Sequence, residues 1–477
     1  MSRFNTVTRT PVVENRAGGA SYALSPKNEL VHLLLTSFLK DMYYEKADDR
    51  IGRLQGLMKT VDPLFAAKAA IYAREQFHMR SVTHVLAGEI GRNVKGEEWT
   101  KHFFERIVSR PDDMTEILAY YRSTGEKAIP NAMKKGFAEK LTSLDAYRLG
   151  KYQGKGKAFS LVDVVNLVHP YSTEQLSQLM SGDLPAPETW EVLLTQAGSD
   201  AAEKAAVWKK LLSEDKLGYM ALLRNLRNIR DQAPTTLSLA LDQLMDPERV
   251  TKSKVLPFRF ATAISQFSES SPLNRVIVSA LNVAMNNALA NVPNLGGRTV
   301  VLLDTSGSMG HLSVPSSHLS IGSMFAAAVA KVNNADLKVW ATHVADVPYN
   351  LDDSIGTIRE NMVKTNVGMG TNLSQAIDSL SAHYDRIVVF SDFQSWADRN
   401  PYGDLRGPAD RALNAYRART DSNPIVYSFD LAGYGDLSFK PNKVVTLAGF
   451  SDKVFDLMAS LEKGEDALTK EIEAVAF

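Results

Sequence analysis

The sequence predicts a solenoid of helical repeats followed by a doubly wound α/β domain. Between about residues 25 and 290, apolar residues recur every three or four positions, which is the period of a helix with one buried face. After the segment Asn294-Leu-Gly-Gly, short β-rich apolar runs alternate with helical ones. Strands that are apolar throughout are typical of a parallel sheet with helices on both faces.

The first part reads as helix after helix. Its clearest helical segments are NELVHLLLTSFLKDMYY, LFAAKAAIYAREQF, AAVWKKLLSEDKLGYMALLRNL and VIVSALNVAMNNALANV. Between the helices lie short breaks at Asp62-Pro63, Arg110-Pro111, Ile129-Pro130 and His169-Pro170. Stacked antiparallel helix pairs, as in HEAT-like repeats, would produce this pattern.

The second part alternates strands and helices. The predicted strands are TVVLLD, LKVWATHV, RIVVFSD, PIVYSFD and KVVTLAG, and the predicted helices include SHLSIGSMFAAAVAKV, LSQAIDSLSAH and DKVFDLMASLEKG. We therefore expect a flexible segment over residues 1–20, a helical module over 21–294 and an α/β domain over 295–477. In such sheets ligands bind beyond the carboxyl ends of the strands.

Composition narrows the possible chemistry. The 54 Lys and Arg residues balance 54 Asp and Glu residues, so a nucleic-acid or membrane partner must be sought in local patches. Because cysteine is absent, disulfides, thiolate catalysis and Cys-ligated metals are excluded. The polar N-terminus lacks the apolar core of a signal peptide, and no stretch is long enough to span a membrane. We expect a cytoplasmic protein.

A set of oxygen ligands falls at predicted strand ends. Asp304 ends one strand, Ser306 and Ser308 lie in the following turn, Thr371 lies in a glycine-rich turn, and Asp392 ends another strand. Two carboxylates and three hydroxyls suit a hard divalent cation such as Mg²⁺. Two simpler interpretations remain, a helix N-cap and a structural cation site without an external ligand. These loops lack a His or Glu placed as a general base, which disfavours hydrolysis.

Cations concentrate in two places of the helical part. Residues 127–157 hold eight Lys or Arg, including Arg148, Lys151, Lys155 and Lys157, against two acids, and Tyr152 lies among them. Arg224, Arg227 and Arg230 share one helix face opposite leucines. Phosphates are the natural counterpart of such clusters, and an aromatic ring can stack on an unpaired base. Either cluster alone could be a solvated helix face.

Two resemblances follow from these residues. The DxSxS run at Asp304, with Thr371 and Asp392, resembles the metal-ion-dependent adhesion site (MIDAS) of von Willebrand factor A domains. The segments NRAGGASYALSP, SLVDVVNLVHP, ALLRNL, VLPFRFATAI and LDTSGSM, in this order, resemble the Ro autoantigen family over about residues 15–470. Proteins of that family carry a TROVE module followed by a von Willebrand factor A domain.

The resemblance implies a noncatalytic RNA-binding protein of a ribonucleoprotein, bacterial or phage in origin and monomeric. In the family, the helical repeats form a ring whose basic hole takes single-stranded ends of misfolded noncoding RNA. Y RNA binds on the outer surface, and an exoribonuclease can be tethered through it. The expected roles are RNA quality control and the stress response. Carried over to this chain, the RNA contacts are Lys151 with Lys155 or Lys157, His169 and Arg224.

Each carried-over residue has a simpler alternative. His169 could be a helix C-cap before Pro170, and Arg224 could pair or pack between repeats. Two other functions remain open. A protein-interaction adaptor would capture an acidic group of its partner at the metal, and a metal-dependent nuclease would degrade RNA, although the single hydroxyl-rich site lacks the paired cations usual for that chemistry.

Overall fold

The computed structural model describes residues 12–14, 20–23, 25–36, 47–154, 156–186, 189–255, 257–267, 271–314, 317–393, 408–432, 436–437, 443–448, 455, 458 and 467–477. Lys155 and most of the predicted flexible segment 1–20 lie outside these residues. Packing divides the chain into two compact units. The mixed unit comprises Met1–Thr36, Asp41–Lys46 and Leu241–Ala467, and the helical unit comprises Ser37–Lys40, Ala47–Ala240 and Leu468–Phe477.

Helices dominate the chain, as the periodicity predicts. In chain order they are α1 (Pro26–Thr36), α2 (Ala47–Leu57), α3 (Pro63–Gln76), α4 (Ser81–Asn93), α5 (Trp99–Arg106), α6 (Pro111–Ser123), α7 (Asn131–Thr142), α8 (Ala146–Lys151), α9 (Leu161–Val168), α10 (Glu174–Ser181), α11 (Trp190–Gln196), α12 (Ala201–Ser213), α13 (Tyr219–Gln232), α14 (Leu237–Met245), α15 (Pro247–Ser253), α16 (Pro257–Ile264), α17 (Pro272–Asn287), α18 (His318–Asn333), α19 (Ile355–Lys364), α20 (Leu373–Asp378), α21 (Pro408–Thr420) and α22 (Ala467–Glu473). None in the described part of the chain is both long and apolar enough to cross a bilayer.

The prolines that the sequence marks as breaks lie at helix ends. Pro63 and Pro111 are the first residues of α3 and α6, where a missing N–H costs nothing. Pro130 precedes α7, and Pro170 follows the residue that caps α9. Consecutive and near-consecutive helices then pack together, with α3 on α4, α4 on α6, α5 on α7 and α12 on α13. This packing is that of the predicted helical repeats.

The mixed unit contains the predicted doubly wound sheet. Its strands, with those of a small second sheet, are β1 (Val12–Glu14), β2 (Ala20–Ala23), β3 (Thr299–Asp304), β4 (Asp336–Trp340), β5 (Val344–Asp346), β6 (Arg386–Ser391), β7 (Ile425–Asp430), β8 (Asp436–Leu437) and β9 (Val444–Ala448). The large sheet has the order β5-β4-β3-β6-β7-β9. Strands β3 and β6 are buried along their whole length, as expected of central parallel strands.

Two features of the mixed unit were not predicted. The run LKVWATHV is not one strand, because it turns after Trp340 and returns as β5, which pairs antiparallel with β4 at the sheet edge. Strand β1, inside the predicted flexible segment, pairs with β2, which pairs with β8. The predicted boundary at residue 294 marks the change in element type, whereas packing divides the chain near residue 240.

The crossing of α5 and α7 depends on a glycine. A Cβ atom at Gly136 would lie 2.6 Å from the carbonyl oxygen of Lys101 and 2.8 Å from the amide nitrogen of Glu105. We expect Gly136→Ala to lower the free energy of unfolding by about 1–3 kcal/mol in urea titrations, because backbone must move. Gly52 on α2 meets nothing within 4 Å, so Gly52→Ala should raise it by about 0.5–1 kcal/mol. Equal effects of both changes would contradict this packing.

Candidate functional site

The carboxyl edge of the large sheet brings the predicted metal ligands together. Strands β3 and β6 are parallel neighbours, so Asp304 and the pair Ser391-Asp392 end at the same edge. Oδ2 of Asp304 accepts a hydrogen bond from Oγ of Ser391 at 2.6 Å, and Oδ1 accepts from the amide of Ser306 at 2.8 Å. Both aspartates are buried, Asp304 at 0% and Asp392 at 1% exposure.

The two loops that carry the hydroxyl groups are tied to each other. Oγ of Ser306 and Oγ of Ser308 are 3.3 Å apart in the turn after β3. The amide of Gly307 in this turn donates to the carbonyl oxygen of Met369 at 3.2 Å. That bond joins the turn to the glycine-rich loop in which buried Thr371 lies, just before α20. The five predicted ligands therefore lie on segments that meet at one edge.

The donor set fits a hard divalent cation. Burial raises the pKa of Asp304 to about 6, although the hydrogen bonds from Ser391 and Ser306 act in the opposite direction. A buried carboxylate without a counter-charge is costly, and a bound cation would offset that cost. Within the described residues no group of three or more His, Asp and Glu is placed to hold a metal, so a cation bound here would need the hydroxyl groups as ligands. Ser391 was not predicted to take part, although its place beside Asp392 at a strand end is a usable signal.

The basic segment of the helical unit centres on α8. Asp145 caps this helix by accepting from the amide of Arg148, whose side chain lies 3.9 Å from the Asp145 carboxylate. Nζ of Lys151, at the other end, lies 3.4 Å from Oη of Tyr147 and 5.6 Å from the centre of its ring. The same ammonium group lies 5.8 Å from the ring of Tyr152. Three predicted or neighbouring side chains thus form a cation–aromatic cluster.

A further cation joins this cluster from Arg110, the residue that precedes α6. Cζ of Arg110 lies 4.5 Å from the centre of the Tyr152 ring, within the range of a cation–π contact. The sequence indicated a helix break at Arg110-Pro111 but not the contact of the Arg110 side chain with Tyr152. The two residues are 42 positions apart, so no local pattern signals that they stack. Lys157, which follows the cluster, pairs instead with Glu116 of α6 at 2.8 Å.

His169 and the α13 arginines lie on other helices. His169 ends α9 in the left-handed conformation with φ 51°, its amide donates to Val165, and its side chain is exposed. The C-cap alternative therefore describes its backbone and leaves its imidazole available. Arg224 and Arg227 are exposed on α13, opposite the buried Leu226, as the sequence predicts. Helix α13 packs against α12 and the turn that follows it, so these arginines form a group on a different helix pair.

Comparisons with known proteins match this arrangement. The TROVE domain model matches residues 39–183 and 160–291. Mouse telomerase protein component 1 is 22% identical over 331 residues, which cover 50% of this chain and 12% of the mouse protein. The RNA-binding protein RO60 of Caenorhabditis elegans is 22% identical over 287 residues, which cover 54% of this chain and 42% of the nematode protein. The chain therefore matches less than half the length of these relatives.

A solved structure shows the same fold. The crystal structure of the Deinococcus radiodurans Ro (RSR) protein superposes with a TM-score of 0.63, covering 91% of this chain and 100% of that one, at 17% sequence identity. The superposition therefore extends over most of this chain. Because the TROVE model covers more than half of the chain, this protein belongs to the TROVE family, and its architecture is that of the Ro proteins.

Proposed function

We propose that this protein binds RNA without cleaving it, through the cation–aromatic cluster of the helical unit. One observation carries the proposal: Lys151, Tyr147, Tyr152 and Arg110 converge within the part of the chain that matches the TROVE model. Cations that neutralise phosphates beside aromatic rings are the usual elements of single-strand binding. The nematode relative, named an RNA-binding protein, is consistent with this function.

The candidate phosphate-binding cations differ in whether a carboxylate already pairs with them. No carboxylate partner of Lys151 occurs among the described residues, and its side chain is exposed, so we assign it the main phosphate contact. The charge of Lys157 is partly offset by Glu116, and that of Arg148 by Asp145. His169, Arg224 and Arg227 would contact further nucleotides along the RNA strand. Lys155 keeps the role that the resemblance implies.

The more specific parts of the proposed function come from the resemblance to the Ro family. We propose that the bound RNA is the single-stranded end of a misfolded noncoding RNA, entering a basic cavity of a helical ring, and that Y RNA binds on the outer surface. The protein would then act in RNA quality control and the stress response, with an exoribonuclease reached through an RNA tether. Crosslinking in cells, followed by sequencing of the recovered RNA, tests these assignments directly.

Binding to a short single-stranded RNA should depend steeply on salt. If three cations contact phosphates, affinity should fall roughly 20-fold from about 50 to about 200 mM salt, since the slope is about −0.7 per contact for single strands. Lys151→Glu should weaken binding by roughly 10-fold or more and flatten this slope. Fluorescence anisotropy with a labelled oligonucleotide measures both quantities.

A charge reversal elsewhere is the matched control. Lys252 on α15 is 81% exposed and pairs loosely with Glu248 at 3.6 Å, so Lys252→Glu changes the net charge equally but leaves the cluster intact. It should have little effect on affinity. Equal losses in the two variants, or binding that is insensitive to salt, would refute the assignment of RNA to this cluster.

A second candidate function, that of a protein-interaction adaptor, is favoured by an exposed residue beside the carboxyl edge of the large sheet. Met369, whose carbonyl oxygen accepts from the turn after β3, is 71% exposed. We propose that Asp304, Ser306, Ser308, Thr371 and Asp392 hold Mg²⁺ or another divalent cation. In this adaptor function, the cation would supply a coordination position for an acidic group of a protein partner, and EDTA would abolish that interaction. RNA binding at α8 should survive EDTA.

The nuclease alternative makes a distinct prediction. Purified protein with Mg²⁺ would shorten a labelled RNA if the site cleaved phosphodiesters. Buried aspartates and hydroxyl groups at the carboxyl edge form a donor set for a single cation, whereas phosphodiester cleavage usually uses paired cations. We therefore propose a noncatalytic role, and RNA that stays intact in this assay would be the expected result.

A further inference from the structure

The Arg110 side chain is held in place from both sides. Its Nε and Nη2 donate to Oδ1 and Oδ2 of Asp112, each at 3.1 Å, while its Cζ lies 4.5 Å over the Tyr152 ring. A two-point bond to a carboxylate fixes the plane of a guanidinium group. Although it makes these contacts, the Arg110 side chain remains 40% exposed. Part of a pre-oriented, flat cation therefore faces solvent beside the cluster.

A buried polar network supports this arrangement. Asp112, 13% exposed, also accepts a hydrogen bond from Nη2 of Arg80 at 2.9 Å. Arg80 reaches Asp113 at 3.1 Å, and the fully buried Asp113 accepts from Arg74 at 2.7 Å. A continuous chain of contacts thus runs from the core of α3, α4 and α6 to Arg110 at the surface. A surface side chain anchored in this way loses little entropy when a ligand packs on it.

The charge of the network suits an anionic ligand. Three guanidinium groups, those of Arg74, Arg80 and Arg110, face two carboxylates, so a positive charge remains in excess. Lys151 adds another near the Tyr152 ring. Since the buried members are already paired, the excess charge is available at the exposed end, where Arg110 and Lys151 both lie close to Tyr152. An anion would be drawn to this end of the network.

We propose that Arg110 and Tyr152 form a binding subsite for one unpaired nucleotide, in which the base packs on the exposed surface of the Arg110–Tyr152 pair and Lys151 contacts the adjacent phosphate. Asp112 is the positioning residue of this subsite. The inference rests on the proposed RNA binding and assigns to it two residues that the sequence did not indicate. Bases stack on guanidinium planes and aromatic rings irrespective of their identity, so the subsite would be tolerant of sequence.

Such a subsite distinguishes single strands from duplexes. In a duplex both faces of each base are covered by its neighbours, so a stacking surface in the protein has nothing to engage. An unpaired nucleotide can present its base to Arg110 while its phosphate remains near Lys151. Preference for single-stranded RNA would then come from Arg110, whereas general affinity for phosphates would come from Lys151.

Asp112→Asn separates positioning from charge. The change removes a negative charge next to the cluster, so electrostatics alone predicts tighter RNA binding. Loss of the two-point bond would instead release the guanidinium plane, and we expect binding of a labelled ten-uridine RNA to weaken by roughly 5- to 150-fold, the range for one stacked base. Binding of a duplex of equal length should stay the same or tighten. Anisotropy titrations of the full-length protein measure both.

Two further variants complete the test. Arg110→Lys keeps the charge but removes the flat group, and it should lose the single-strand preference while the salt dependence stays unchanged. Glu139→Gln on α7, 48% exposed, alters the net charge as Asp112→Asn does but lies outside the network, and it should leave the preference intact. Circular dichroism and melting temperatures check folding, and Arg110→Lys alone decides if Asp112→Asn does not fold.

The outcomes separate this inference from the function on which it rests. Failure of the unmodified protein to bind single-stranded RNA would overturn both. Binding that Lys151→Glu weakens, but that Arg110→Lys leaves unchanged, would overturn the subsite and leave the proposed function standing. Tighter binding of Asp112→Asn to single strand and duplex alike would also overturn it, because charge would then account for everything. Selective loss of single-strand binding in both variants is the supporting result.

Discussion

Replacing Asp113 by asparagine is expected to lower the free energy of unfolding of the helical unit by about 3–5 kcal/mol, because it leaves the buried guanidinium group of Arg74 without a counter-charge. Asp113 is fully buried and accepts hydrogen bonds from Arg74 at 2.7 Å and from Nε2 of His84 at 2.9 Å. It also accepts from the amides of Ser109 and Arg110 at the start of α6. One carboxylate therefore joins three helices, and its amide analogue cannot satisfy all of these donors.

Thermal melting followed by circular dichroism would check this effect. A loss of this size lowers the midpoint by on the order of 10 °C in a unit of this length. Asp183, an exposed aspartate after α10, is the matched control, and Asp183→Asn should shift the midpoint by less than about 1 °C. A small shift in both variants would mean that Arg74 and His84 find other partners when the carboxylate is removed.

The same carboxylate should make the helical unit sensitive to acid. Burial by itself would raise the pKa of Asp113, but the hydrogen bond and charge of His84 and the charge of Arg74 outweigh it and hold the pKa well below its ordinary value. A carboxyl whose folded pKa is depressed stabilises the folded state above its unfolded pKa of about 3.9 and loses that contribution as pH falls further. Asp113→Asn should therefore differ most from the parent near neutral pH and least in strong acid.

The architecture was predictable because it depends on local patterns. Helical periodicity and fully apolar strands report burial residue by residue, and prolines mark where helices begin, so the two kinds of structure follow directly. The turn after Trp340 was not predictable, since Ala341 and His343 bridge β4 to an antiparallel strand through a bond that the alternation of residues does not reveal. Likewise, Tyr72 bonds to Glu471, so α22 packs with the helical unit despite following the α/β domain in sequence.

The two candidate sites also differ in how far the sequence predicts them. The proposed metal ligands were predictable because each lies near the end of a strand or the start of a helix, and parallel strands bring such positions to one edge. The cation–aromatic cluster was predictable only in part: Lys151 and Tyr152 are neighbours in sequence, whereas Arg110 reaches them through the packing of α6. Side chains recruited across helices leave no periodic signal, so Asp112 and Arg80 could be recognised only in three dimensions.

Asp304→Asn is expected to abolish the stabilisation of the protein by Mg²⁺. A ligand that binds only the folded state raises its stability by about 2.7 kcal/mol at a concentration 100 times its dissociation constant, so the unmodified protein should melt at a higher temperature as Mg²⁺ is added. The asparagine side chain can still accept from the amide of Ser306, but it lacks the charge that holds a cation. Its melting temperature should not respond to Mg²⁺.

In buffer freed of metal by EDTA, Asp304→Asn should leave the melting temperature unchanged or raise it. The Asp304 carboxylate is fully buried and accepts hydrogen bonds from a hydroxyl and an amide, so its ionised form is costly without a cation, as its raised pKa indicates. A neutral amide should therefore be tolerated as well or better. If Asp304 were a purely structural carboxylate, Asp304→Asn would lower the melting temperature in both buffers. Asp352→Asn, at an exposed aspartate before α19, should change neither melting temperature. Only a metal ligand gives a variant that is insensitive to Mg²⁺ yet undamaged without it, and RNA binding at α8 should be the same in all three proteins.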